Sequence, residues 1–161
     1  MCDRSEIENL LYEYQARLDV GDLDGMAALF EHAVMSADTV ELSWLGSAEV
    51  LALYRQIFRI YDDGSPHTTH TTLNPIIHID GEAGTASCRS VYVVYQQVGD
   101  FPLQPIITGG YHDTFERVDG SWRYASRKFV AGLQGDLRAH QVLDDHPVFE
   151  SGAAVGDAEP R

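Results

Sequence analysis

The chain has 161 residues, which is enough for one domain with a hydrophobic core and too few for two domains of ordinary size. Its apolar share of 44% and its charged share of 22% are typical of a folded globular protein. The net charge of −14 argues against nucleic acid and against an anionic membrane surface as partners, because both are bound by clustered lysines and arginines.

The chain contains two cysteines, Cys2 and Cys88. Cys2 lies close to a chain end and neither cysteine has the spacing of a metal ligand, so we expect no structural disulfide and no cysteine-based metal site. We find no leader pattern and no apolar run of membrane-spanning length. These observations predict a cytoplasmic protein in a reducing compartment that does not bind a membrane.

The amino-terminal region predicts two helices. Residues 4–19 place apolar side chains at helical spacing, and this stripe consists of Ile7, Leu10, Leu11, Tyr14 and Leu18. Gly21 is a natural stop for that helix. Asp22 or Asp24 then caps a second, short helix that reaches Phe30.

The next region predicts a strand pair and a third helix. Val34, Val40, Leu42 and Trp44 suggest two short strands, with a turn at Ser36-Ala37-Asp38. Ser47 is expected to cap a helix from about residue 48 to residue 61, which the sequence 62–66 terminates.

The second half of the chain predicts four long strands in an antiparallel meander. Their approximate ranges are residues 68–79, 84–98, 103–118 and 121–133. Hairpin turns are expected at residues 80–82 and at Asp119-Gly120, the strongest short-range hairpin signal in the chain. Pro75, Gly109 and Gly110 interrupt the strand patterns and are expected to mark bulges or bends.

This order of elements predicts an α+β domain of residues 1–143, in which helices cover one face of a curved sheet. Such a layering leaves a cone-shaped cavity between helices and sheet, which is the default ligand site. Residues 144–161 are rich in glycine, alanine, acidic residues and proline, and we expect them to form a disordered tail.

His70 is the first candidate for chemistry, because a histidine on a strand that faces a cavity can move protons at neutral pH. The alternative is a structural or surface histidine, since most histidines do no chemistry. His67 and His70 point to opposite faces of a strand and make a poor metal pair. Adding His78 and His112 gives no zinc spacing, so we predict no metal site.

Asp19 is a candidate to orient His70. It lies at the carboxyl end of the first helix, where the macrodipole disfavours a carboxylate, and residues that break a local rule point to function. Accepting the Nδ1 proton of His70 would leave Nε2 free as a base. The alternative is an exposed residue of an aspartate-rich turn, and a strict helical wheel favours that alternative.

Tyr14 and Arg127 are two further candidates. Tyr14 lies at the centre of the buried stripe and is either a core residue or a phenol that donates to a substrate oxygen. Period-two alternation places Arg123, Ala125, Arg127 and Phe129 on one face of the last strand. Arg127 is then either a solvated charge or a cation directed into the cavity, where it would stabilise a developing negative charge.

Three segments resemble a known family: residues 12–22 (YEYQARLDVGD), residues 70–75 and residues 110–123 (GYHDTFERVDGSWR), followed by Arg127 and residues 135–137. They resemble the SnoaL-like family of the nuclear-transport-factor-two-like superfamily, over about residues 5–140. This resemblance implies a cone-shaped α+β barrel, with a strongly curved antiparallel or mixed sheet wrapped over the N-terminal helices.

The resemblance also implies roles for individual residues. Asp19 and His70 fall on the Asp–His dyad of the bile-acid dehydratase and the hexachlorocyclohexane dehydrochlorinase, and Arg127 falls on the strand arginine of the family. Tyr14 stands where the bile-acid dehydratase has a tyrosine and the dehydrochlorinase a lysine. The set therefore favours elimination of water over elimination of halide, with a logic similar to that of scytalone dehydratase.

We therefore expect a cofactor-independent dehydratase-type lyase of secondary metabolism, acting on a hydrophobic cyclic carbonyl compound. Its pocket would be lined by Phe58, Asn74, Tyr111 and Phe129. One alternative is an isomerase or polyketide cyclase that uses the same base. A second is a non-catalytic ligand-binding or assembly subunit. In each case we expect a homo-oligomer, either a dimer or a trimer, because the outer sheet face needs covering.

Overall fold

The computed structural model describes residues 2–142, and the predicted tail of residues 144–161 lies outside them. The helices are α1 (Asp3–Asp19), α2 (Leu23–Ala28) and α3 (Gly46–Ile57). The strands are β1 (Val34–Ala37), β2 (Ser43–Leu45), β3 (Thr68–Asp80), β4 (Thr85–Val98), β5 (Phe101–Val118) and β6 (Ser121–Gln134). No helix within residues 2–142 combines the length and apolar character needed to cross a membrane.

All six strands form one sheet in the order β2-β1-β6-β5-β4-β3. Strands β3 to β6 are an antiparallel meander, and β1 pairs with β6 in parallel, so the sheet is mixed. Asp119 and Gly120 both adopt positive φ, 51° and 82°, as a two-residue hairpin turn requires. The predicted meander, the Asp119-Gly120 turn and the α+β architecture are confirmed.

The core lies between the helices and one face of the sheet. Alternate residues of β4 are buried, namely Ala86, Cys88, Ser90, Tyr92, Val94 and Gln96. The buried residues of α1 recur at helical spacing, namely Ile7, Leu11, Tyr14, Gln15 and Leu18. Period 2 on the strand and period 3.6 on the helix therefore bring the two apolar surfaces together.

The first helix ends as predicted. Gly21 adopts a φ of 76°, a left-handed conformation that stops a helix. The Asp22 side chain then caps α2 by accepting a hydrogen bond from the Gly25 backbone nitrogen at 2.9 Å. As a result, α1 stops at Asp19, and this carboxylate lies at the helix terminus.

Two bulges change which side chains face the core. The register of β3 shifts between Leu73 and Ile76, as expected near Pro75, and Asn74 there has a φ of 53°. The register of β6 shifts between Ser126 and Tyr124, which leaves Ala125 as an extra residue.

The bulge at Ala125 contradicts the alternation predicted for β6. Trp122, Tyr124 and Arg127 are buried together, whereas Arg123 forms a partly exposed ion pair with Glu116. One extra residue in a strand reverses the faces of all residues beyond it. Arg127 and Arg123 therefore lie on opposite faces.

Helix α3 also differs from the prediction. It ends at Ile57 instead of residue 61, and Phe58 is extended because it forms a β-bridge with Gln141, 83 positions along the chain. The Ser47 side chain does not cap the helix; the Glu49 carboxylate accepts the Leu45 backbone N–H at 2.7 Å.

The strand pair was predicted with its turn in the wrong place. Ser36 and Ala37 belong to β1, which extends because β1 pairs along its whole length with β6. Residues 38–42 form the connection to β2.

A glycine on β5 provides a test of how closely the sheet packs. A Cβ at Gly109 would lie 2.5 Å from the Tyr92 ring, which stacks on Tyr111 with centroids 4.5 Å apart. We expect Gly109→Ala to lower the free energy of unfolding by about 1–3 kcal/mol, because an overpacked core must shift. Urea denaturation measures this change.

Gly81→Ala is the matched control, since a Cβ at Gly81 would meet nothing within 4 Å. We expect this variant to stay within about 0.5 kcal/mol of the parent chain. Equal stabilities of the two variants would contradict the close approach of Tyr92.

Candidate functional site

The carboxylate of Asp19 lies against His70. Oδ1 of Asp19 is 2.6 Å from Nδ1 of His70. An ionised carboxylate only accepts, so Nδ1 carries the proton and, in the neutral ring, Nε2 is the unprotonated nitrogen. The His70 side chain is 3% exposed and that of Asp19 is 23% exposed, so solvent scarcely competes for the imidazole.

The start of β3 supplies further donors to Asp19. The backbone N–H of His70 donates to Oδ1 at 3.1 Å and to Oδ2 at 3.0 Å, and the Thr68 hydroxyl donates to Oδ1 at 3.4 Å. A carboxylate at a helix carboxyl terminus is disfavoured by roughly 0.3–1 kcal/mol, and these donors offset that cost. The contact thereby joins α1 to β3.

A second polar pair lies deeper in the core. The hydroxyl groups of Tyr14 and Tyr54 are 2.6 Å apart. One O–H is donated within the pair, so the other phenol hydrogen is available to a third group. Burial raises the pKa of Tyr14, and the positive charge of Arg127 opposes that rise. Burial is likewise the main cause that raises the pKa of Tyr54, so both phenols are neutral donors.

Arg127 lies beneath Tyr14 and is fully buried. Its Nε and one terminal nitrogen each donate to the Asp113 carboxylate at 2.8 Å, and that terminal nitrogen also donates to the Tyr124 hydroxyl at 3.0 Å. The guanidinium lies over the rings of Tyr14 and Tyr111, at 4.2 and 4.0 Å from their centroids. It is thus not solvated, but a paired charge beneath an aromatic layer.

The predicted lining residues fall into different places. Phe58 stacks on Tyr54 at 4.9 Å and lies nearly parallel to His70 at 6.4 Å. Tyr111 and Phe129 meet edge to face at 5.3 Å, on the Tyr14 side. Asn74 is exposed at the β3 bulge, so the structure places it apart from these aromatic rings.

The other histidines considered in the sequence, His67, His78 and His112, do not join this site. His67 stacks on Tyr61 at 4.5 Å, and its Nε2 lies 2.8 Å from the Asp63 carboxylate at the surface. His78 and His112 are exposed. Within residues 2–142, no three histidine, cysteine or acidic side chains cluster closely enough to hold a metal ion.

His140 was not predicted, although it lies beside His70. Its ring is 2% exposed, meets Phe58 edge to face at 4.7 Å, and is centred 6.3 Å from the His70 ring. Burial, and secondly the positive charge of His70, lower its pKa to about 3. No strand or helix pattern covers this position, so only the folding back of the C-terminal segment reveals it.

The sequence does carry a signal for Asp113, which was not among the predicted site residues. Asp113 lies two residues after Tyr111 on β5, so period 2 places it on the buried face, and its cross-strand partner is Arg127. An acidic residue among inward-facing positions indicates a buried ion pair, because a lone buried charge is too costly. For Tyr54, the helical spacing of α3 indicates burial but does not indicate Tyr14 as its partner.

The ion pair of Asp113 and Arg127 makes a sharp stability prediction. Asp113→Asn leaves a fully buried guanidinium without its counter-charge, and we expect a loss of about 3–5 kcal/mol in the free energy of unfolding. Glu116→Gln is the control on the same strand, because the Glu116–Arg123 pair is over a third exposed and worth about 0–1 kcal/mol. Denaturant unfolding measures both variants, and similar losses in the free energy of unfolding for Asp113→Asn and Glu116→Gln would contradict the difference in burial.

His140 predicts a pH dependence. Its pKa is about 3 when folded and returns to about 6.5 in the unfolded chain. Between these values the unfolded chain binds a proton that the folded protein does not, so stability falls as the pH falls through this window. We expect His140→Phe to reduce the slope of the free energy of unfolding against pH by up to ~1.4 kcal/mol per pH unit. Denaturant unfolding from pH 7 to pH 4 measures this slope, and equal slopes for the variant and the parent chain would refute the prediction.

Two solved structures from Novosphingobium aromaticivorans each share 24% sequence identity with this chain. One is an NTF2-like protein with a cystatin-like fold. Its match has a TM-score of 0.65 and covers 85% of this chain and 86% of the other chain. A protein provisionally assigned as a scytalone dehydratase has a TM-score of 0.66 and covers 98% and 95%.

A third structure from that bacterium is the beta subunit of a protein provisionally assigned as an aromatic-ring-hydroxylating dioxygenase. It has 19% identity, a TM-score of 0.64 and coverage of 84% and 94%. Identities this low show a shared fold alone. No curated protein matches the chain in sequence. The family model described as the SnoaL-like domain matches residues 1–128, and the chain therefore belongs to the SnoaL-like family of NTF2-like proteins.

Proposed function

We propose that the protein is a cofactor-independent lyase that removes water from a hydrophobic cyclic carbonyl compound. The observation that supports this most directly is the 2.6 Å contact between Asp19 and Nδ1 of a nearly buried His70. Such a pair combines a fixed tautomer with a free Nε2, which general-base catalysis requires.

In the proposed reaction, Nε2 of His70 removes a proton from the carbon next to the substrate carbonyl. The electron pair left on carbon forms a double bond, and the carbon–oxygen bond of the hydroxyl on the neighbouring carbon breaks. The departing hydroxide and the proton that was removed together make water, so His70 returns to its starting state. Asp19 stabilises the imidazolium between these two events.

The Tyr14–Tyr54 pair would supply the hydrogen bond to the substrate. One phenol hydrogen remains after the pair's own hydrogen bond, and it can be donated to the carbonyl oxygen or to the departing hydroxyl. Arg127 would act through Tyr14, because its guanidinium lies 4.2 Å from the ring centroid and opposes the rise in the Tyr14 pKa. Asp113 neutralises the charge of Arg127, and Asp113 is therefore a positioning residue in this proposal.

The substrate class is inferred from the surroundings of these groups. Phe58 lies beside His70, Tyr111 lies beside Tyr14, and Phe129 packs on Tyr111. Aromatic surfaces beside a few polar groups suit a rigid, largely apolar ligand with one or two oxygens. The structural similarity to a protein assigned as a scytalone dehydratase supports the same class.

An isomerase or a cyclase would use the same base. Both begin with the proton removal assigned to His70, and they differ from dehydration only in the fate of the carbanion or enolate that this step forms. Mass spectrometry of the product separates them, because isomerisation and simple cyclisation conserve mass, whereas dehydration loses one water.

The proposal predicts the effect of two substitutions. With fused-ring β-hydroxy ketones screened for loss of water, we expect His70→Ala to lower kcat by about 10²–10⁴-fold, since the general base is removed. Asp19→Asn should lower kcat by about a hundredfold or more, because an amide no longer holds Nδ1–H in place. KM should change little in both.

His67→Ala is the control, since His67 pairs with Asp63 at the surface and should leave kcat unchanged. Full turnover in both His70→Ala and Asp19→Asn would rule out the mechanism. Ligand binding without turnover in the parent chain would favour the non-catalytic alternative. The structural similarity to the beta subunit of a protein provisionally assigned as a dioxygenase also supports that alternative.

A further inference from the structure

The segment of residues 135–142 crosses the end of α3 beside His70. Its backbone is held by hydrogen bonds from several elements: Arg59 N to His140 O at 2.9 Å, Val142 N to Ile57 O at 3.0 Å, Tyr61 Oη to Ala139 O at 2.6 Å and Gln96 Nε2 to Ala139 O at 3.1 Å. These hydrogen bonds hold the segment, and with it His140, beside His70 and the end of α3.

Within this segment, the Nδ1 atom of His140 lacks a hydrogen-bond partner among the described residues, although the residue is only 2% exposed. An unsatisfied buried polar atom is unfavourable, and a phenylalanine or leucine would pack against Phe58 without that penalty. The penalty disappears if a ligand atom supplies the missing partner.

We propose that His140 is a substrate-contacting residue, whose Nδ1–H donates a hydrogen bond to a substrate oxygen beside the proton that His70 removes. This inference rests on the proposed function and adds a group from outside residues 1–128, the part of the chain that the family model matches.

The arrangement of the rings suits this role. Asp19 occupies Nδ1 of His70, so the free Nε2 is on the side away from α1. The His140 ring is centred 6.3 Å from that of His70, and Phe58 contacts both rings. The two imidazoles therefore lie close enough for one ligand to contact both rings.

The charge of His140 suits this role as well. Because burial lowers its pKa to about 3, the ring is neutral at the pH where His70 can act as a base. A neutral imidazole donates without repelling the imidazolium that forms on His70. It also keeps one defined N–H, whereas a charged ring would need a counter-ion in this buried place.

The test measures binding of 2-naphthol, a fused-ring phenol whose hydroxyl imitates an enolate oxygen. We expect His140→Phe to weaken binding at least tenfold, since one hydrogen bond is lost, while its melting temperature at pH 7 does not fall. His140→Asn should bind within about threefold of the parent chain, because the amide nitrogen stands near the former Nδ1. In ¹H–¹⁵N spectra of the parent chain, the His140 Nδ1 resonance should shift on saturation with 2-naphthol.

Unchanged binding by His140→Phe would overturn the proposal. Equal weakening in His140→Phe and His140→Asn, with both melting temperatures preserved, would also overturn it. These outcomes can be told apart from a failure of the proposed function, which fails if His70→Ala and Asp19→Asn both retain full turnover. A chain in which His70→Ala is inactive and His140→Phe is fully active would keep the lyase and lose only the role of His140.

Discussion

A guanidinium group buried in the middle of this domain constrains much of what surrounds it. Arg127 has no access to solvent, so Asp113 must be buried opposite it on the neighbouring strand, and the rings of Tyr14 and Tyr111 must cover its faces. Removing one partner of such a pair leaves a charge with nothing to compensate it. The bulge at Ala125 serves this arrangement, because it turns Arg127 into the core.

Helix α1 carries this arrangement to the other end of the site. It contributes Tyr14 above Arg127 and, five residues later, Asp19 beside His70. Between them, Tyr54 on α3 and Phe58 just after this helix connect the two ends through the phenol pair and a ring stack. A polar group at each end with aromatic rings between them is the pattern from which we infer an apolar substrate that carries oxygen.

The sequence predicted the site residues unevenly, for reasons that individual residues show. Asp19 could be placed at the end of α1 from the stripe before it and from Gly21, but the helical wheel argued against an inward direction. The surroundings of Arg127 could not be predicted, since strict alternation put Arg123 on its face and the register of β6 against β5 decided otherwise. His140 lies beyond the last strand, where no periodic pattern exists.

The sequence alone determined the order of the helices and strands, both ends of α1, the meander and its Asp119-Gly120 turn, because periodicity, caps and turn residues act over a few neighbouring positions. Only the tertiary structure decided the end of α3, the faces of β6, the Tyr14–Tyr54 and Asp113–Arg127 partners and the place of His140. Each of these depends on a contact between residues far apart in the chain, such as the bridge between Phe58 and Gln141, and no local pattern encodes such a contact.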